Sequence, residues 1–121
     1  MKKNRIFIQH QHWEGTCDRL LIVDTENRGS VQVDVLPPFR RQKADALLWA
    51  LWVDEGYRKQ GEATALMAMA EAAVIAKGCT SIALEWSLKE APYWVCDWYM
   101  RLGYEEREFG RDCALMIKKL I

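Results

Sequence analysis

A chain of 121 residues, half of them hydrophobic, is long enough for one domain with a single core and too short for two. Its 17 basic residues balance 17 acidic ones, a neutrality that argues against a nucleic-acid-binding protein dominated by phosphate contacts. No apolar run approaches the roughly 20 residues of a membrane span, and Met1-Lys2-Lys3-Asn4-Arg5 leads into a strand-like segment, not an apolar signal sequence, so a soluble, cytoplasmic protein is expected.

Residues 5–13 include Ile6, Phe7 and Ile8 and then alternate, which suits a first strand; residues 19–24 read as a second. Turn chemistry at Glu26-Asn27-Arg28-Gly29 leads to a third strand over 30–36, where Val31, Val33 and Val35 alternate with Gln32 and Asp34. Pro37-Pro38 ends it, and Arg40, Arg41 and Lys43 form a basic loop. The central strand, 46–53, is apolar on both faces and is expected to be covered on both. A helix over 61–77 places Ala63, Leu66, Met67, Ala70, Ala73 and Val74 on one stripe and stops at Gly78. A strand over 80–86 follows. Pro92 opens a second helix, 92–102, along which Trp94, Val95, Trp98, Tyr99 and Leu102 recur at helical spacing, and Gly103 suits the left-handed residue that ends it. Residues 104–109 and 113–120 close the chain as a hairpin around Gly110-Arg111-Asp112. Cys17, Cys79, Cys96 and Cys113 are scattered without close pairs, so reduced, mostly buried thiols are expected, with neither a metal site nor a disulfide scaffold. With no repeat and no linker, residues 1–121 form a single α/β domain with a mixed sheet.

The most informative stretch joins the central strand to the first helix: Tyr57-Arg58-Lys59-Gln60-Gly61-Glu62-Ala63-Thr64. A strand, a short polar turn and a helix start leave backbone N–H groups at the first helical turn, with the positive end of the helix dipole behind them, which suits a phosphate or pyrophosphate. Gly61 lets a ligand approach the backbone closely. The spacing Arg58-x-x-Gly61-x-Ala63 resembles the acyl-CoA pyrophosphate loop of the GNAT superfamily of acetyl-CoA-dependent N-acetyltransferases, and Trp98-Tyr99-Met100-Arg101-Leu102-Gly103-Tyr104 resembles that family's second signature.

The resemblance implies a mostly antiparallel, twisted sheet of about six or seven strands flanked by two main helices, with acetyl-CoA as cosubstrate. It also implies that the backbone of Leu51, Trp52 and Val53 pairs with the pantetheine arm and the acetyl carbonyl, while Arg58, Lys59, Gln60, Gly61, Glu62, Ala63 and Thr64 wrap the pyrophosphate. The Glu62 side chain is expected to point to solvent, away from the diphosphate, while its N–H binds. Two departures matter. The family usually has one or two helices between its first two strands, helping to wall the acceptor site, and here only residues 14–18 lie between them. The acceptor pocket is therefore either open, as suits a protein or peptide amine, or completed by a second subunit in a homodimer. The Asn and Ala that the family often carries before its Tyr are replaced by Pro92 and Val95.

The implied reaction is direct attack of an amine on the thioester. A primary amine is deprotonated only about once in 2,500 molecules at pH 7, a penalty of roughly 4.6 kcal/mol that a base or a dehydrated site helps to cover. Tyr99 occupies the family position for the acid that protonates the leaving thiolate, and Glu85, on the strand beside the central one, is the candidate base; Asp34, His10 and His12 are weaker ones. Of six tryptophans, most are expected in the core, with Trp52 and Trp86 lining an apolar acceptor channel. Competing readings are a non-catalytic acyl-CoA-binding or regulatory module and a protein-interaction domain. The acceptor, a small molecule or a protein or peptide amine, is not specified by the sequence.

Overall fold

A computed structural model describes residues 6–13, 17–24, 26–37, 39, 41, 43–58, 61–87, 89 and 91–120, with the backbone alone for 6–17. Seven strands form one sheet: β1 (Ile6–Trp13), β2 (Cys17–Asp24), β3 (Gly29–Val35), β4 (Ala46–Val53), β5 (Ser81–Ser87), β6 (Glu105–Phe109) and β7 (Cys113–Lys119). Their order is β1-β2-β3-β4-β5-β7-β6, and every adjacent pair is antiparallel except β4 and β5. Helix α1 (Glu62–Ala76) joins β4 to β5 and α2 (Tyr93–Arg101) joins β5 to β6. Both connections step in the same direction between parallel strands, and the right-handed crossover rule puts both helices on one face.

That helical face carries the core. Leu20, Val33, Leu48, Leu84 and Met116 oppose one another in register across five strands, and all are buried. Leu66, Met67, Ala70 and Val74 of α1 complete the layer, with Ala63 and Ala73 packed at its edge, as the stripe predicted. Each helix stops at a left-handed glycine, Gly78 with φ 89° and Gly103 with φ 104°. In both, the following residue reaches back to the last turn, Cys79 N–H to Val74 O and Tyr104 N–H to Tyr99 O, which satisfies carbonyls that would otherwise lack partners. Tyr104 is then buried, its hydroxyl donating to Glu71 Oε2 at 2.9 Å while Lys118 Nζ donates to Glu71 Oε1 at 2.8 Å. Burial and the Glu71 carboxylate hold the Tyr104 phenol well above the usual range.

Among the described residues no helix covers the opposite face. The β3–β4 loop shields one end of it, placing Leu36 and Ala44 beside Leu47, Ala83 and Leu115, and Lys43 pairs with Glu108 on β6. At the other end the face is open. The expectation that β4 is covered on both faces therefore fails over its second half, where Trp49 is 38% exposed and Trp52 43%. The tryptophans as a group correct the sequence reading as well: among those with described side chains only Trp86 is buried, and Trp94, grouped with the packed stripe of the second helix, is 64% exposed. Val95, Trp98, Tyr99 and Leu102 do pack against the core.

Asp45 ties the start of β4 to the start of β5. Its Oδ2 accepts from Thr80 N at 2.8 Å and Thr80 Oγ1 at 3.0 Å, its N–H donates to Ser81 Oγ at 3.0 Å, and its carbonyl accepts from Leu36 N at 2.9 Å. The Thr80 backbone N–H is the main reason that the Asp45 carboxyl lies below the usual carboxylate range. A depressed native pKa contributes stability that is present above the unfolded value, about 3.9, and lost as the pH falls through the native value. Asp45→Asn is expected to cost about 1–2 kcal/mol at pH 7, a fall in Tm of about 4–8 °C. Thermal melts of the two proteins should converge towards pH 2–3; a constant gap would show that ionisation of Asp45 is irrelevant to its role. No helix among the described residues is long and apolar enough to cross a membrane.

Candidate active site

β4 and β5 pair at only three positions, Ala46 with Ile82, Leu47 with Ala83 and Leu48 with Leu84, and then part. The gap opens a cleft of about 640 Å³, within the range of small-molecule sites. Register places the lining on both sides of the sheet. Leu48, Leu84, Trp86 and Tyr99 belong to the helical face, whereas Leu47, Trp49, Glu85 and Leu115 belong to the open one. The cleft thus runs through the sheet.

One edge of this cleft is irregular backbone. Ser30 pairs with Trp52 and Gln32 with Trp49, so that Ala50 and Leu51 together oppose Val31, and Ala50 takes the left-handed conformation with φ 56°. A β-bulge of this kind turns backbone groups out of the ladder, and an alanine held there stores strain of order 1 kcal/mol. Among the described residues no strand pairs with the β5-facing edge of β4 beyond Leu48. An extended ligand carrying amide groups can therefore add to that edge as a strand would.

The turn that follows is set by its own polar groups. Asp54 Oδ1 accepts from Gly56 N at 3.0 Å over a single 3-10 turn, Glu55–Tyr57, and Asp54 N–H donates to Arg28 O at 2.7 Å. The Arg28 guanidinium lies over the Tyr57 ring at 4.6 Å. Arg58 Nε donates to Val53 O at 3.0 Å, which anchors the arginine at the end of β4 beside the start of α1. Gly61 is the N-cap of α1 with φ 83°, a conformation that favours glycine, and it makes no side-chain cap. The first helical bond runs from Ala65 N–H to Gly61 O, so the N–H groups of Ala63 and Thr64 precede the ladder. Lys59 and Gln60 lie outside the described residues, as does Arg40. The basic loop otherwise sits at the far end of the strands, where Arg41 Nε donates to Leu36 O and Lys43 pairs with Glu108, away from this turn.

Glu62 departs from expectation. Its side chain is buried, 5% exposed, and does not point to solvent. The reason is positional: residues 62, 66, 70 and 74 succeed one another every four residues on the stripe that α1 presents to the sheet. A carboxylate in the first turn is favoured by the helix dipole.

Tyr99 reaches the cleft from α2, and burial raises its phenol pKa. Its ring is held by Trp98, 5.1 Å between centroids, and by Tyr104 at 6.1 Å. Glu85 lines the cleft one residue past the last β4–β5 pair, and its side chain is exposed. Asp34 is already engaged: Arg19 donates to both its oxygens at 2.7 and 3.0 Å, and Trp49 Nε1 donates to Oδ2 at 3.2 Å. The side chains of His10 and His12 lie outside the described set. Trp86 lines the cleft and Trp52 does not; the two stand on opposite faces of the sheet and do not form one channel. Trp49 takes the place expected of Trp52, with the Arg19 guanidinium 4.5 Å above its ring. Trp49, Ala50 and Asp34 as its holder carried no distinguishing mark in the sequence, though the i, i+4 spacing of Glu62 with Leu66 was readable.

The sequence matches, over residues 5–106, the family described as acetyltransferase (GNAT) domain. No curated protein matches it. Among solved structures, an acetyltransferase from Bacillus cereus is 22% identical with TM-score 0.65, the alignment covering 93% of this chain and 74% of that one. A GNAT acetyltransferase from Staphylococcus aureus is 15% identical with TM-score 0.67, covering 91% and 72%. The PaiA N-acetyltransferase from Thermoplasma acidophilum, solved with coenzyme A, is 16% identical with TM-score 0.67, covering 86% and 61%. At these identities the likeness is one of fold.

Proposed function

Because the chain belongs to the GNAT acetyltransferase family, whose cosubstrate is acetyl-CoA, we propose that it is an N-acetyltransferase in which an amine attacks the thioester directly. The observation that carries this reading is the parting of β4 and β5, which leaves a strand edge lining a cleft on a strand that runs on through one short turn to the α1 N-terminus.

Acetyl-CoA lies on the helical side. Its pyrophosphate takes the N–H groups of Gly61, Glu62, Ala63 and Thr64 with Arg58, Lys59 and Gln60 around it, and its pantetheine arm pairs with the edge at Leu51, Trp52 and Val53. The acceptor enters from the open face, where Glu85 takes the ammonium proton, directly or through water. The amine nitrogen then bonds to the carbonyl carbon, a backbone N–H near Val53 supports the oxyanion, and the C–S bond breaks as the nitrogen gives up its second proton, which passes through water to the departing sulfur, leaving the amide and the CoA thiol. Tyr99 faces the leaving sulfur. A phenol of ordinary pKa is about 1.5 units less acidic than a thiol, and burial widens the gap. Full transfer to a free thiolate is therefore uphill by at least about 2 kcal/mol, so Tyr99 acts chiefly by a hydrogen bond that strengthens as charge builds on sulfur. The open acceptor face suits a protein or peptide amine as well as a small molecule. Free Cys79, Cys96 and Cys113 suit a reducing, cytoplasmic setting.

Titration calorimetry with acetyl-CoA, followed by an acetylation assay over small amines and amino-terminal peptides, tests the reading. Binding with turnover of at least one amine is expected. Absence of binding removes it altogether, and binding without turnover of any amine leaves a non-catalytic module.

A further inference from the structure

Trp86 stands two residues beyond the last β4–β5 pair, on the helical face, opposite Ala114 of β7. It is 6% exposed and lines the cleft with Tyr99, Leu51 and Ala91. Its ring packs on Tyr93 with centroids 5.3 Å apart and planes at 42°. The indole Nε1 is fully buried and has no hydrogen-bond partner. The other tryptophan of the cleft, Trp49, differs: its N–H is bound to Asp34.

An indole N–H is a donor only and cannot adapt by accepting. Natural structures seldom leave such a group buried and unpaired, because it forfeits its bond to water and gains nothing in return. Trp86 lines the cleft, and a ligand that shifts its ring enough to uncover Nε1 and offers it an acceptor oxygen removes the deficit. An ammonium offers only donors and does not suit this position, whereas a carbonyl oxygen, a stronger and more persistent acceptor than an amine that is mostly protonated at pH 7, does. The helical face is also the side on which Tyr99 and the α1 N-terminus lie, the side assigned above to the acyl donor.

We propose that Trp86 Nε1–H binds a carbonyl oxygen of the acyl-CoA arm, either a pantetheine amide or the thioester, and so fixes the depth at which the arm sits in the cleft. This rests on the acetyl-CoA reading of the site. It makes Trp86 a cosubstrate-binding residue and not part of an acceptor channel.

Two replacements delete the donor: Trp86→Phe, and substitution of Trp86 by 3-benzothienylalanine, which keeps the shape of the indole with sulfur in place of N–H. Each is titrated calorimetrically with acetyl-CoA, with CoA, and with adenosine 3′,5′-bisphosphate, which lacks the arm, and each is melted without ligand. Kd is expected to rise roughly 3- to 10-fold for ligands carrying the carbonyl concerned and to stay unchanged for adenosine 3′,5′-bisphosphate. The benzothienyl protein is expected to melt at or above the wild-type temperature, since it buries no unpaired donor. Weakening of CoA and acetyl-CoA together assigns an amide carbonyl; weakening of acetyl-CoA alone assigns the thioester. Unchanged affinity for all three ligands, or an equal loss for all three, overturns the proposal. If the wild-type protein binds none of them, the acetyl-CoA reading itself falls, and this assignment with it.

Discussion

Tyr99→Phe lowers kcat for amine acetylation about 100-fold, the lower end of what one hydrogen-bond donor aimed at developing charge contributes, while the Kd for acetyl-CoA stays within about twofold. The substitution removes one oxygen and keeps the ring that packs between Trp98 and Tyr104, so the fold is preserved. Binding is insensitive because the phenol meets a weakly basic thioester sulfur in the ground state and a charged one only as the C–S bond breaks. The pH profile provides the second readout. Burial raises the Tyr99 pKa, so the wild-type rate should climb with pH as the amine loses its proton and turn down only above about pH 10, the ordinary phenol value. In the Phe variant the downturn assigned to Tyr99 disappears. An unchanged kcat would leave Tyr99 as packing alone and remove the acid from the mechanism.

The largest effect on stability is expected at Gly29. A Cβ there would lie 2.7 Å from Trp52 O, 3.0 Å from Leu66 Cδ1 and 3.3 Å from Val53 Cα. The nearest of these is backbone, paired in the ladder between β3 and β4, and it cannot swing aside as a side chain would. Gly29→Ala should therefore cost about 3 kcal/mol, read as a lower urea midpoint with an unchanged slope. The obstruction comes from crowding, since glycine's conformational freedom is not needed at this position. Trp52 and Val53 belong to the edge assigned to the pantetheine arm, so the same variant should bind acetyl-CoA more weakly than its residual folded fraction accounts for. A midpoint shift that, multiplied by the slope, amounts to less than about 0.5 kcal/mol would mean that β3 and β4 slide apart at little cost.

Most of the architecture was readable because each element announces itself locally. The strict alternation of Val31, Val33 and Val35 leaves one reading, and the glycines at 78 and 103 mark helix ends that only left-handed residues provide. The Arg58-x-x-Gly61-x-Ala63 turn was legible for a different reason, as a strand running through a short polar stretch with a glycine into an alanine-rich helical pattern, and the structure places that glycine at the left-handed N-cap of α1. What escaped depends on relations between distant segments. Ala50 carries no sign of its left-handed backbone, which is imposed by the two-against-one register with β3. Too few residues lie between β1 and β2 to form a helix over the open face, and the same lack of cover leaves Trp49, whose apolar run reads as core, and Trp52, expected in an acceptor channel, partly exposed. For Glu62 charge and helical position point opposite ways, the one to solvent and the other to the buried stripe with Leu66 and Ala70, and position decides.

The brief pairing of β4 with β5 makes the cleft a lever. The matched segment spans two residue steps, Ala46 to Leu48, or about 7 Å at 3.3 Å per residue. The stretch from Leu48 to Val53, unpaired on its β5 side and carried by β3 on the other, spans five steps, about 16 Å. A displacement of 0.4 Å across the short arm becomes roughly 1 Å at the far end, and a misplacement of that size is able to cost about 100-fold in rate. Asp45, with its bonds to Thr80 and Ser81, sits at the short arm. Substitutions there are thus expected to alter the far end of the cleft, and with it the rate of the proposed transfer, by geometry alone.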